Sequence, residues 1–172
     1  GRVRVYPDDG CIVLESDIVS AVIDPQSGGR IRSLKSKRTG REFLYQDPRR
    51  DFSGSGYSDN DTSGYCECFP TVARCEYPDG RRRGMDMGDH GLLWQEPWLS
   101  EIDGDSVVVS KSLPQFACFF QRRSQFESAD TLRLDYIIRN DGDEPFKYIY
   151  SAHPLLYGSE HTRFELPQEM TE

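Results

Sequence analysis

Histidine is scarce in this chain, with three in 172 residues. Long hydrophobic runs are absent, so nothing in the sequence reads as a membrane-spanning helix. No basic-then-apolar leader is visible, so no secretion signal is expected. Positive charge is in deficit: 21 Lys and Arg stand against 29 Asp and Glu, a net charge of −8 with a pI near 4.9. That balance argues against nucleic acid and anionic membranes as partners, because both demand basic patches. Apolar residues make up only 36% of the chain, but aromatics reach 12%, and each large ring buries much area.

Helical periodicity is also missing. The pattern repeats every two residues instead. Val3 and Val5 alternate with Arg2 and Arg4, and 107–109 and 132–138 read as strands between turn residues. Asp103-Gly104-Asp105 predicts a hairpin between 98–102 and 106–110. Gly28-Gly29 predicts a turn between 19–23 and 30–34, and Asn140–Asp143 one before a strand at 146–150. No helix of ten residues is expected. These signs describe an all-β antiparallel β-sandwich over 1–172 as a single domain. Two polar stretches, 47–64 and 78–88, break the rhythm as long loops, a length at which function or mobility is common.

The five cysteines suggest small buried side chains more than ligands. Cys66-Glu67-Cys68 lacks the two-residue gap usual for zinc, and no Cys/His pair follows nearby. No metal and no cofactor are therefore expected. An odd cysteine count without a leader fits reduced thiols and a cytoplasmic protein.

His90 and His153 are the candidate catalytic residues. Histidine titrates near neutrality, and both lie at the margins of strand-like segments, where loops carry function on a rigid sheet. His90 lies in Asp89-His90-Gly91, where Gly91 would let a ligand approach the backbone. Asp89, Trp94, Trp98 and Arg74 are candidate substrate contacts. Of the two tryptophans, one is expected in the core and one near a cleft.

Four ordered segments resemble the galactose mutarotase-like, or aldose 1-epimerase-like, family. They are Ile18–Pro25 with Gly28-Gly29-Arg30-Ile31, Ser33-Leu34 and Gly40-Arg41-Glu42; Glu67-Cys68-Phe69-Pro70; Asp89–Trp94 with Pro97-Trp98; and Leu134–Tyr136 through Asn140–Gly142 to His153-Pro154. The resemblance implies a large antiparallel β-sandwich, the galactose mutarotase-like supersandwich, incomplete at its C-terminus here. It implies an aldose as small-molecule partner and mutarotation by proton transfer, with His153 as acid and His90 orienting the ring. The family's base glutamate falls well beyond the histidine matching His153. Glu165, Glu169 and Glu172 are too near His153 in sequence to match it, so the base is expected to be missing from this chain. Ala152 and Pro154 around His153 depart from the best-known members and point to the broader epimerase-like branch. The alternative is a non-catalytic carbohydrate-binding or accessory β-sandwich. An unpaired C-terminal edge is further expected to drive homo-oligomer formation.

Overall fold

The computed structural model describes residues 2–49, 53–167 and 170. Two antiparallel sheets form the bulk of the molecule. The first has six strands in the order β1-β2-β3-β4-β5-β12: β1 (Arg4–Asp8), β2 (Cys11–Glu15), β3 (Val19–Asp24), β4 (Arg30–Ser36), β5 (Tyr65–Cys68) and β12 (Ser151–Pro154). The second has four, β11-β10-β9-β8: β8 (Leu99–Asp103), β9 (Ser106–Leu113), β10 (Cys118–Ser128) and β11 (Thr131–Asn140). A small hairpin of β6 (Cys75–Glu76) and β7 (Asp86–Met87) joins them. The helical elements among the described residues are 3-10 turns of three residues each. None is long and apolar enough to cross a membrane.

The period of two becomes burial directly. Inward residues alternate along β10, where Cys118, Phe120, Arg122 and Ser124 are buried. Val107 and Val109 do the same on β9, and Leu14, Ala21, Ile23 and Ile31 face them from the six-stranded sheet in one core. The hairpin at 103–106 and the turn at Gly28-Gly29 form where the turn residues predict. The expected strand at 146–150 does not form. Phe146 packs its ring on Phe69, Tyr77 and Phe116 instead, and pairing resumes at Ser151.

Two of the inward positions are arginines. Arg122 is fully buried, and its Nη1 donates to Glu67 Oε1 across the sandwich at 2.8 Å. Its Nη2 donates to the Gly29 carbonyl. Tyr136 and Tyr150 donate to the two Glu67 oxygens at 3.2 and 2.9 Å. A charge removed from water needs such partners on every side. Arg30 is buried too, donating to the carbonyls of Ser27, Asp61, Ser63 and Trp94. It thereby ties the 60–63 loop and the Trp94 segment to β4.

Candidate functional site

Alternation along β5 decides which side chains meet. Glu67 faces the core, so Cys66 and Cys68 project from the opposite face of the sheet. In the antiparallel register His153 on β12 is the partner of Cys66, which puts its imidazole among the thiols. Cys66 Sγ lies 3.7 Å from His153 Nδ1.

His90 arrives from the turn after β7. It holds a left-handed φ of 61°, uncommon for a residue with a Cβ, and its N–H donates to the Val72 carbonyl at 2.8 Å. Gly91 follows at φ 78°, and a Cβ there would collide with the Phe69 backbone. The glycine therefore serves a close crossing of two chain segments, sealed by the Leu92 N–H to Phe69 carbonyl bond at 2.8 Å, and not the approach of a ligand.

The two imidazoles come together, with ring centroids 4.9 Å apart at 81°. Tyr57, from a 3-10 turn in the 47–64 loop, joins them. Its ring stacks on His90 at 3.8 Å, and its hydroxyl lies 3.2 Å from His153 Nδ1 and 3.4 Å from Cys66 Sγ. Trp94 meets Tyr57 edge-on at 5.2 Å. Asp89 Oδ2 is 3.0 Å from His90 Nδ1, yet off the hydrogen-bonding direction, so that buried nitrogen has a nearby charge but no hydrogen bond.

These contacts reset the titrations. Hydrogen bonds from Cys68, His153 and Tyr57 hold the Cys66 thiol well below its ordinary value despite its burial. The same bond to Cys66, together with burial, pushes Cys68 up. Burial raises Tyr57, and the bond to Cys66 raises His153.

A cavity of about 400 Å³ opens beside the cluster. Tyr57, Asp89, Trp94, Arg74, Asp86 and Glu96 contribute to its wall, which includes neither imidazole. Tyr57 and Asp89 thus stand between the histidines and the cavity. Arg74 is held at the rim by a two-pronged bond to Asp86, both distances 3.0 Å. Trp94 is 5% exposed and backs the cavity, its Nε1 donating to the Asp89 carbonyl.

Trp98 must be corrected as a substrate contact. It is 3% exposed in the main core, packs on Phe120, donates to the Leu93 carbonyl and does not line the cavity beside the histidines. The fold also brings together three residues that the sequence reading did not group. Cys68, His90 and His153 each bring a ligand atom within 4.8 Å of the others. Nearby sequence spacing could not reveal a set drawn from three separate segments. Tyr57 is not among the sequence candidates, and Cys66 and Cys68 are read there as buried side chains only. The cysteines carried a usable signal, since positions i and i+2 on a strand share a face. Tyr57 carried none, lying in a polar loop.

The comparisons fit this architecture. A galactose mutarotase-like protein from Lactobacillus casei ATCC 334 superposes with a TM-score of 0.68 over 86% of this chain, at 17% identity. One from Clostridium acetobutylicum gives 0.60 over 90% of this chain, at 18% identity. The fold is galactose mutarotase-like. The galactose mutarotase-like match extends over 50% and 54% of those two chains, so this chain spans about half their length. No protein-family model and no curated protein matches the sequence.

Proposed function

We propose that this galactose mutarotase-like sandwich binds an aldose in the cavity beside His90 and His153 and exchanges its anomers by proton transfer, as an aldose 1-epimerase-like protein. The observation that carries the reading is the pairing of two imidazoles 4.9 Å apart behind Tyr57 and Asp89, which line a cavity of about 400 Å³ with an aromatic wall and carboxylates. That volume suits one or two sugar rings and lies in the usual range for small-ligand sites. Asp89 and Glu96 supply acceptors for hydroxyls, Arg74 a donor, and Trp94 an apolar backing. His153 is the proposed acid to the ring oxygen, and His90 orients the ring. A base is part of the reaction, and acid/base groups of this kind each contribute about 10²–10⁴ in rate. Asp89 is the carboxylate placed beside His90. A cytoplasmic setting belongs to the same proposal, because the cluster uses Cys66 and Cys68 as thiols.

A second reading is favoured by one observation. The Tyr57 hydroxyl sits on His153 Nδ1, and neither imidazole lines the cavity. On that reading the sandwich binds carbohydrate without turnover. NMR titration with common aldoses tests binding, and polarimetry tests exchange. Millimolar binding, about −4 kcal/mol, is expected with shifts at Trp94 and Asp89. Binding without exchange that depends on His153 would leave the second reading, and no binding would remove both.

A further inference from the structure

The residues around His90 and His153 have a chemistry that a sugar does not call for. Cys68 is fully buried, and a buried thiol beside two imidazoles offers nothing to a hydroxyl that a serine or asparagine would not offer better. One sulfur and two imidazole nitrogens within 4.8 Å of one another are instead a donor set for a borderline-soft cation. Hard ions such as calcium and magnesium take oxygen ligands, whereas thiolate and imidazole select zinc and its neighbours. We propose that Cys68, His90 and His153 bind a divalent transition-metal ion of the zinc class.

The supports of the site agree with this assignment. Three elements deliver the ligands: β5, the turn after β7, and β12. The strand pairing of β5 with β12 and the His90 N–H bond to Val72 hold their backbones in place. Each imidazole has a polar group at Nδ1, Asp89 at 3.0 Å for His90 and the Tyr57 hydroxyl at 3.2 Å for His153. In the proposed site each ring ligates through its other nitrogen, and a rotation of the exposed Asp89 carboxylate into line with His90 Nδ1–H would complete a carboxylate–histidine–metal chain. Zinc bonds of roughly 2.0–2.3 Å place tetrahedral ligand atoms about 3.5 Å apart. The three groups therefore close by about 1 Å, a movement within reach of side-chain rotation. Three protein ligands leave a fourth position for water or a ligand, the arrangement of reactive zinc sites. The Cys68 thiolate and Asp89 offset the charge of the ion. An ion on both rings takes the lone pairs that proton transfer would use, so metal binding and proton transfer at these nitrogens exclude each other.

Cobalt(II) titration of the whole chain tests the proposal with no sugar present, so its outcome is separate from that of the carbohydrate reading. A thiolate-to-cobalt charge-transfer band saturating at one equivalent is expected, reversed by added zinc. Cys68→Ser should abolish the band, while Cys75→Ser and Cys11→Ser should leave it. His90→Ala and His153→Ala should each weaken binding, and Asp89→Asn, at an exposed side chain, should weaken it about tenfold or more. Zinc-edge X-ray absorption on the unaltered protein guards against variants that misfold, with one sulfur and at least two nitrogen ligands expected. No thiolate band, a band that survives Cys68→Ser, or two sulfurs on the zinc would overturn the proposal.

Discussion

Single residues at the core and the site carry opposite burdens. Glu67 and Cys66 are neighbours in sequence, but one closes a buried ion pair and the other faces the histidines. Replacing Glu67 with Gln would leave Arg122 charged and buried without its carboxylate, and breaking such a pair costs about 3–5 kcal/mol. Urea denaturation should show that loss, whereas Tyr136→Phe, which removes one of several donors to Glu67, should cost about 1 kcal/mol. Tyr57→Phe keeps the ring stacked on His90 but removes the hydroxyl from His153 and Cys66. We expect about 1 kcal/mol of lost stability and a displaced His153 ring resonance in the NMR spectrum. An unchanged His153 signal would mean that the hydroxyl does not engage it in solution.

The elements around the site meet at crossings that tolerate little change. Gly91 and Gly104 both hold left-handed φ angles, 78° and 62°. A Cβ at Gly91 would strike the Phe69 backbone, while one at Gly104 would meet open space. Both Ala variants carry the backbone penalty of about 1–2 kcal/mol, but Gly91→Ala should cost more, because the turn bearing His90 must shift. Thermal unfolding of the pair isolates the crossing from the φ term. At this scale the hairpin at 103–106 and the β3–β4 turn were legible, since Asp-Gly and Gly-Gly announce their geometry locally. The stretch 146–150 was not. Its aromatic residues look like a strand, yet Phe146 packs on the Phe69, Tyr77 and Phe116 rings instead of pairing.

Across the whole molecule one core spans both sheets, so we expect a single cooperative unfolding transition. Its midpoint should fall in acid. The bonds from Arg49 and Thr62 depress Asp47, and Lys37, Arg4 and Tyr6 depress Glu15 although its burial alone would raise it. A depressed carboxylate stabilises the fold above its ordinary value, 3.8 for Asp47 and 4.5 for Glu15, and that contribution is lost as pH falls through the folded value. Unfolding followed from pH 7 downward should therefore show stability declining below about pH 5. Asp47→Asn should flatten the decline. The edge strand β12 and the exposed Ile149, Leu156 and Phe164 beyond the core also suggest self-association. Sedimentation should detect it, and a strictly monomeric protein would dismiss it.

The alternation of side chains determined by itself that this chain is all-β, where its sharpest turns lie, and that its inward positions build a two-sheet core. Those properties depend on neighbours a few residues apart, which a sequence displays. Which residues form the site was decided only in three dimensions. His153 reaches Cys66 through strand register, Cys68 reaches His90 through the crossing at Gly91, and Tyr57 arrives from a loop whose composition is merely polar. Trp94 and Trp98, four residues apart, were indistinguishable by type. Packing sent one to back the cavity and the other into the core, because the segment between them crosses from the Gly28 turn to the second sheet. Contacts between distant segments have no local signal, so only the folded chain could choose among them.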